Sequence, residues 1–336
     1  MNIYNDFPLK AYNTFGIDAY AKWFASFSSP NELKELLSEK NFTNSKILIL
    51  GGGSNILFTK NQEGVLKNEI KGIEKTGEDT EHIYIKAGAG ESWHQFVLFC
   101  LKNNWAGIEN LSLIPGNAGA APMQNIGAYG VEIKDVFYSL DAFHLKDKET
   151  VTLNHKDCDF GYRESVFKNK YKGQFAILSV TLRLNKIPHY HTSYGAIEKE
   201  LEVMNVKDLS IQAISQAVIN IRTAKLPDPK EIGNAGSFFK NPEVSPEKYE
   251  QLKKDFPELI AYPVNDQFKL AAGWMIEQSG WKGYKEGEVG VHAKQALVLV
   301  NYGHASGKDI YKLSEKIQQS IFDKFGVTLE REVNVT

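Results

Sequence analysis

The fold is decided by a stretch unusually dense in small residues, residues 114–130, with the sequence IPGNAGAAPMQNIGAYG. It carries no charged side chain, whereas flexible linkers made of small residues are normally polar. Glycine and alanine at this density indicate a backbone that another group approaches closely. The stretch therefore predicts one side of a ligand site.

Two further glycine clusters precede this stretch. A short apolar strand, residues 46–50, runs into Gly51-Gly52-Gly53-Ser54-Asn55, and a second strand, residues 82–87, runs into a glycine-containing turn at 88–91. Consecutive backbone N–H groups after a strand can cradle a phosphate. The spacing is neither that of a P-loop nor that of a Rossmann fingerprint. One cluster alone is as readily a tight turn, but three together favour a large phosphate-bearing ligand.

The rest of the sequence predicts a mixture of strands and helices. A helix is expected after Ser29-Pro30, with Glu32 as the reciprocal cap. Periodicity predicts the other elements: a helix over 93–103, antiparallel strands over 138–145 and 176–184, a loop-rich joint over 186–210, helices over 211–223, 245–256, 269–279 (closed by Gly280) and 306–325, and a final strand over 327–335. The expected class is α+β, with a mixed α/β N-terminal half.

Composition excludes several functions. The 336 residues are 42% hydrophobic with a net charge of -2, which indicates roughly two or three globular domains and no bulk affinity for nucleic acid or anionic membrane. Two cysteines give no disulfide framework, and the one close histidine pair, His189 and His191, has no carboxylate nearby. We expect no metal site. The absence of a signal peptide or membrane-span pattern predicts a cytoplasmic protein.

Three positions could carry chemistry. Ser237 lies in the turn NAGSFFKNP, residues 234–242, without a nucleophile elbow or a histidine within ten residues. Proton donation therefore suits it better than acyl transfer, although a plain turn serine is the commoner case. Arg163, in YRES at 162–165, is either solvated or a carboxylate clamp. Glu330 and Glu332, which flank Arg331, suggest an exposed strand edge.

Together these segments resemble the UDP-N-acetylenolpyruvoylglucosamine reductase family. The matching segments occur in order across nearly the whole chain: 13–15, 51–55, 114–116, 124–130, 162–165, 225–227, 236–242, 271–274 and 332–333. Tyr194, in Thr192-Ser193-Tyr194-Gly195, matches the subclass in which a tyrosine-bearing loop covers the substrate. One departure is Asn117-Ala118, where Thr-Val is common; both positions are expected to contribute mainly backbone.

The resemblance implies an FAD-binding fold of the vanillyl-alcohol-oxidase and p-cresol-methylhydroxylase type. This fold has two subdomains, expected at residues 1–68 and 69–205, and a C-terminal α+β substrate domain at 206–326. The last strand, residues 327–336, would lie near the active site.

The resemblance also implies the reaction, which is NADPH-dependent reduction of UDP-N-acetylglucosamine enolpyruvate to UDP-N-acetylmuramate through non-covalent FAD. This step belongs to peptidoglycan precursor synthesis, and we expect a monomer. Arg163 would hold the substrate carboxylate with help from Glu332, and Ser237 would protonate the carbon beside it. Glu332 is preferred to Glu330 because the family's acid directly precedes an aliphatic residue, as Glu332 precedes Val333.

Ligand-contacting residues follow from the same resemblance. The residues implied to bind FAD are Gly51, Gly52, Gly53, Ser54, Asn55, Pro115, Gly116, Gln124, Asn125, Gly127, Ala128 and Tyr129. Those implied to bind the substrate are Tyr194, Lys225, Asn241 and Lys282. Two alternatives stay open: an oxygen-using alcohol or lactone oxidase of the same fold, and a nucleotide-sugar-binding module without catalysis.

Overall fold

Each of the two folded units in the computed structural model is assembled from separate stretches of chain. The structure describes residues 2–194 and 196–336. The first unit comprises Met1–Phe7, Ala21–Gly53 and Gln62–Ala224, and the second comprises Pro8–Tyr20, Ser54–Asn61 and Lys225–Thr336. The finer division into three domains stays a prediction.

The chain contains both strands and helices, as the sequence predicts. The strands are β1 (Tyr4–Pro8), β2 (Tyr20–Phe27), β3 (Ile47–Leu50), β4 (Ile56–Leu57), β5 (Gln62–Asn68), β6 (Ile73–Glu78), β7 (His82–Gly88), β8 (Gly127–Ala128), β9 (Val131–Glu132), β10 (Phe137–His144), β11 (Glu149–Asn154), β12 (Phe175–Asn185), β13 (Gly233–Ser237), β14 (Glu243–Val244), β15 (Ala261–Val264), β16 (Gln267–Leu270), β17 (Lys285–Glu286), β18 (Val289–Val291), β19 (Val298–Asn301) and β20 (Asn334–Val335). The α-helices are α1 (Pro30–Leu36), α2 (Lys40–Thr43), α3 (Trp93–Lys102), α4 (Ile197–Val203), α5 (Ile211–Lys225), α6 (Pro246–Asp255), α7 (Ala272–Gln278) and α8 (Gly307–Phe325). Short 3-10 turns lie at Lys10–Tyr12, Glu109–Leu111, Ala118–Ala120, Pro122–Gln124 and Ile133–Asp135.

The first unit contains two principal sheets. One has the order β1-β2-β5-β3, and β5 runs parallel to both β2 and β3. The other, with the order β11-β10-β12-β7-β6, is antiparallel throughout. The predicted antiparallel pairing of β10 with β12 is thus confirmed. Helix α3 contributes Trp93, Phe96 and Val97 to the core that includes the five-stranded sheet.

The second unit is organised by α8 and a sheet of order β13-β19-β18-β17. The apolar stripe predicted for α8 is buried, because residues at helical spacing face the same side. Ser306 and Asp309 form a capping box at its start, and Gly326 ends it in the left-handed conformation. The short strand β20 pairs in parallel with β4.

Four details differ from the sequence-based expectation. The predicted loop at 186–210 contains α4. Residues 269 and 270 belong to β16 rather than to a helix, and only β20 is regular strand within 327–335. The carboxylate of Glu32 accepts from the N–H and hydroxyl of Ser28, one residue before the expected N-cap partner.

Residues 211–224 of helix α5 belong to the first unit. Its apolar face packs with Ile197 and Leu201 of α4 and with the ring of Tyr129. Among residues 2–194 and 196–336, no helix combines the length and hydrophobicity needed to cross a bilayer.

Candidate functional site

The three glycine clusters converge in the first unit. A Cβ added at Gly52 would lie 2.6 Å from the Oδ1 of Asn117 and 2.9 Å from the Cα of Gly116, so the turn at Gly52 lies directly against residues 116 and 117. The N–H of Gly119 donates to the carbonyl of Ala89 at 3.0 Å, which joins the turn at 88–91 to the same surface. The small residues are therefore explained by close backbone approach, as the sequence predicts.

Asn117 contributes more than its backbone, so the expectation for this position is wrong. Its Nδ2 donates to the carbonyl of Gly90 at 2.8 Å, while its Oδ1 lies over Gly52. The side chain thereby connects two of the glycine clusters. Composition alone gave no signal for this contact, because it depends on where distant turns meet.

Lys67 supplies positive charge beside the first cluster. Its Nζ donates to the carbonyl of Gly51 at 2.5 Å, and burial lowers the pKa of Lys67. A lysine at this place favours an anionic ligand over the glycine turn. The turn itself crosses the boundary between the units, because Gly51–Gly53 belong to the first and Ser54 and Asn55 to the second.

Backbone strain collects around residues 113–163 of the first unit. Six residues other than glycine have positive φ angles there, among them Leu113 (+57°), Asn125 (+44°), Tyr129 (+51°) and Arg163 (+55°). Such conformations persist only where neighbouring groups enforce them, and they concentrate at functional sites. Leu113 is held from both sides, since its N–H donates to His94 Nδ1 at 3.0 Å and its carbonyl accepts from Arg222 Nε at 3.2 Å.

Arg163 lies on the small-residue stretch. Its Nη2 donates to the carbonyl of Gly127 at 2.6 Å, and the guanidinium also stacks on Tyr162. A Cβ at Gly127 would come within 3.1 Å of Arg163 Nη1. The absence of a side chain at residue 127 is thus what admits the guanidinium.

The side chain of Asn125 stabilises the segments around Arg163. It is fully buried, and its Nδ2 donates to Glu132 Oε2 at 3.0 Å and to the carbonyl of Gly161 at 2.9 Å. Its Oδ1 accepts from the N–H of Lys134. The side chain therefore fixes the loop that carries Arg163, and any contact with a ligand would come from its backbone.

Arg222 is a functional candidate that the sequence reasoning missed. Burial lowers its pKa, the nearby Tyr129 raises it, and the charge of Arg163 lowers it further. Two guanidinium groups therefore act on the same region beside Tyr129, which favours a bound anion. The sequence did contain a signal for Arg222. Ser215, Val218 and Arg222 follow one another at helical spacing, which places Arg222 on the buried face of α5.

Tyr194 lies against the end of the small-residue stretch. Its side chain is exposed, and a Cβ on Gly130 would lie 3.4 Å from its Cβ. The tyrosine implied to bind the substrate is thus placed beside the residues implied to bind the cofactor, all within the first unit.

Ser237 ends strand β13 of the second unit in an irregular turn. The register against β19 shifts between Asn234 and Ser237, and Gly236 has a φ of +70°. Asn234 stabilises this turn by accepting from the N–H of Gly236 at 3.0 Å. The half-buried Ser237 is therefore held on a defined backbone rather than on a mobile loop.

Backbone pairing places Glu332 beside the turn that carries Ser237. Its N–H donates to the carbonyl of Phe238 at 2.9 Å, and its carbonyl accepts from Asn55 Nδ2 at 3.2 Å. Glu332 therefore pairs with the residue that follows Ser237. The predicted neighbours Ser237, Glu332 and Asn55 all lie together in the second unit.

Glu330 has a different environment from Glu332. Its carboxylate accepts an ion pair from Lys240 at 2.6 Å, and 69% of its side chain is exposed. Arg331 turns to the opposite side, where its Nε donates to Ser314 Oγ at 2.8 Å. Glu332 is half-buried. The geometry thus favours Glu332 over Glu330 as the site acid.

The structure does not bring the remaining substrate candidates to Ser237. Lys225 is the exposed last residue of α5. Lys282 pairs with Glu277 at 2.8 Å on the surface. Asn241 follows Ser237 closely in sequence, but its Oδ1 accepts from the N–H of Ala272 at 3.0 Å, so a ligand would have to use its Nδ2.

Comparison with known protein families gives matches over both units. The model described as UDP-N-acetylenolpyruvoylglucosamine reductase, C-terminal domain, matches residues 228–336, and a model described as FAD binding domain matches residues 21–154.

Curated relatives match over the full length. A UDP-N-acetylenolpyruvoylglucosamine reductase from Amoebophilus asiaticus is 51% identical over 337 residues, covering 100% of this chain and 99% of the relative. One from Flavobacterium johnsoniae is 50% identical over 338 residues, covering 100% of both chains. The solved structure of the UDP-N-acetylenolpyruvylglucosamine reductase from Thermus caldophilus matches with a TM-score of 0.68 at 23% identity, over 99% of this chain and 98% of that one. The predicted FAD-binding fold is confirmed by these matches.

Proposed function

Because the chain belongs to the UDP-N-acetylenolpyruvoylglucosamine reductase family, we propose that it reduces UDP-N-acetylglucosamine enolpyruvate to UDP-N-acetylmuramate. FAD is the bound cofactor and NADPH the electron donor, and the reaction is a step of peptidoglycan precursor synthesis. The observation that carries this function is 51% identity to a named reductase over the whole chain. The oxidase and the non-catalytic module are not favoured.

The first unit has the features that a flavin dinucleotide requires. Residues 51–53 have no side chains to obstruct a pyrophosphate, and Lys67 adds positive charge beside them. Residues 114–130 offer small side chains along which a flat ring can lie. When bound and reduced by NADPH, FAD supplies the hydride that the vinyl carbon of the enolpyruvyl group accepts.

Arg163 stabilises the negative charge that develops on the substrate carboxylate. Its bond to the Gly127 carbonyl fixes the guanidinium before substrate arrives, and preorganised donors of this kind lower the energy of a developing anion. Arg222 strengthens the positive potential from the buried side. Glu332 is assigned the assisting role, and its backbone is held by Phe238 and Asn55.

Ser237 donates the proton that completes the lactyl ether, to the carbon that bears the carboxylate. The defined turn at the end of β13 supports this assignment, because a proton donor must be positioned within hydrogen-bond reach of the carbon it serves. The substrate diphosphate is bound by Tyr194, Lys225 and Asn241. Lys282 would have to leave its ion pair with Glu277 to take part.

We also assign the reaction to the cytoplasm and to a monomer. Sedimentation equilibrium of the flavin-loaded protein tests the second assignment, since a single species near the 37.8 kDa mass of the chain is expected. A concentration-dependent rise in mass would show association.

A spectroscopic titration tests the reaction itself. The purified protein should be yellow, lose its flavin absorbance on anaerobic addition of NADPH, and recover it on addition of the enolpyruvate. Recovery only with oxygen would indicate an oxidase. A protein that cannot take up FAD would exclude the flavin mechanism.

The close contact between Gly127 and Arg163 leads to a mutational prediction. Gly127→Ala should reduce kcat with the enolpyruvate about tenfold, because the added methyl would lie 2.8 Å from Glu132 Cγ, 2.9 Å from the Val131 carbonyl oxygen and 3.1 Å from Arg163 Nη1, so the guanidinium must shift together with the turn between β8 and β9. Flavin reduction by NADPH should change little. Steady-state and anaerobic rapid-mixing kinetics measure the two effects.

Gly77→Ala is the matched control, since an added Cβ in that strand meets only Tyr84 Cδ2 at 4.0 Å. Unchanged kcat in Gly127→Ala would show that the position of Arg163 does not limit the reaction.

A further inference from the structure

Asn110 is a buried amide that holds two separate segments of the first unit. It lies in the turn Glu109–Leu111 and is 1% exposed. Its Nδ2 donates to the carbonyl of Tyr129 at 3.0 Å and to the carbonyl of His191 at 2.8 Å. Both partners are acceptors, so the orientation of the amide is fixed by its chemistry.

The segments that contain Tyr129 and His191 also contact each other directly, through Gly130 and Tyr194. Tyr129 has a φ of +51° and precedes Gly130, against which Tyr194 lies. His191 begins the short run that ends in Tyr194. Asn110 therefore holds the backbone on each side of the contact between Gly130 and Tyr194.

This arrangement is maintained at an energetic cost. The Oδ1 of Asn110 is buried and has no hydrogen-bond partner in the described part of the chain. An unsatisfied buried acceptor of this kind destabilises the folded state. An apolar residue would avoid that cost but would leave two buried carbonyl groups without a donor.

Glu109 makes the turn around Asn110 rigid. Its buried carboxylate accepts from the N–H of Gly107 at 2.7 Å. The Nδ2 of Asn110 is therefore presented from a fixed backbone rather than from a flexible loop.

We propose that Asn110 is a positioning residue that fixes residues 186–194 against Gly130, so that Tyr194 is in place for the substrate diphosphate. The proposal rests on the proposed function for the identity of the ligand. The anchoring itself concerns only contacts within the first unit.

The test replaces the amide with a carboxylate of the same shape, Asn110→Asp, which has no N–H to donate and repels both carbonyls. Chymotrypsin cleavage after Tyr190 and Tyr194 should become about tenfold faster, because both hydrogen bonds that hold the segment are lost. KM for the enolpyruvate should rise about tenfold for the same reason. Flavin reduction by NADPH should stay within about twofold.

The control is Asn68→Asp in the same unit. Asn68 is 4% exposed, and its Nδ2 donates to the carbonyl of Ile177 at 2.8 Å, so the same kind of bond is lost at another place. Cleavage after Tyr190 and Tyr194 should not accelerate in this variant. If Asn110→Asp fails to fold, the same measurements are made on Asn110→Ser, which keeps one donor.

A double-mutant cycle separates positioning from general destabilisation. In a Tyr194→Ala background, Asn110→Asp should raise KM no further, because the tyrosine that it positions is already gone. Unchanged cleavage in Asn110→Asp, equal acceleration in Asn68→Asp, or an unchanged KM would each overturn the proposal. Cleavage needs no substrate, so faster cleavage in an enzyme that never reduces the enolpyruvate would support the anchor and reject the proposed function.

Discussion

Ser237→Ala should slow the recovery of flavin absorbance by the enolpyruvate on the order of 10²–10⁴-fold, the range for loss of a positioned proton donor. The alanine variant keeps the backbone turn, which Asn234 and Gly236 define, and removes only the hydroxyl. Bleaching by NADPH should be nearly unchanged, because no proton from Ser237 is needed in that half-reaction. Anaerobic rapid mixing with each reactant in turn measures both rates.

Ser279→Ala is the matched control for this prediction. Its hydroxyl is buried in the second unit and makes no hydrogen bond within residues 2–194 and 196–336, so its removal should alter neither half-reaction. Equal slowing of both half-reactions in Ser237→Ala would contradict the proton-donor role and indicate a general disturbance of the site.

Glu332→Gln should slow the same half-reaction by about 10²–10³-fold, the effect expected when one preorganised group at a developing charge is lost. The backbone of residue 332 keeps its bonds to Phe238 and Asn55 in this variant. The effect therefore reports the ionisable side chain itself. Single-turnover oxidation of the reduced protein by the enolpyruvate measures it.

Glu330→Gln provides a direct comparison with Glu332→Gln. It removes the ion pair that the exposed Glu330 carboxylate makes with the buried Lys240 ammonium, so stability should fall, because a buried charge depends on its pairing. The rate per folded enzyme should stay within about twofold of the parent. A large loss in Glu330→Gln and a small one in Glu332→Gln would reverse the assignment of the acid.

The periodicity of the sequence was sufficient to predict an element whose position is determined by its own residues. Helix α8 was predicted accurately because its buried apolar stripe lies within the element itself. Ser237, Arg163 and Glu332 were found through family resemblance, since each alone is as readily a turn or surface residue. The convergence of 51–53 with 114–117 followed the expectation that small residues mark close approach.

Elements whose limits depend on distant partners were not predictable. Helix α7 begins at Ala272 because Asn241 Oδ1 accepts from its N–H, and no local residue gives that boundary. The alternating pattern at 327–335 suggested a regular strand, but the segment pairs through isolated contacts, such as the bridge between Phe239 and Arg331. Arg222 was missed because its value as a site residue depends on Tyr129 and Arg163, which lie far away in sequence.

The pairing of β4 with β20 has a consequence for biosynthesis. Asn334 donates to the carbonyl of Asn55 across 279 residues, and the next residues, Val335 and Thr336, extend the same pairing. A nascent chain cannot form these bonds until translation has passed residue 334, and contacts so distant in sequence form slowly. Glu332, which is held by Asn55, is therefore expected to reach its place only after residue 334 has been made, so ribosome-bound intermediates shorter than this should lack reductase activity even after the first unit has folded.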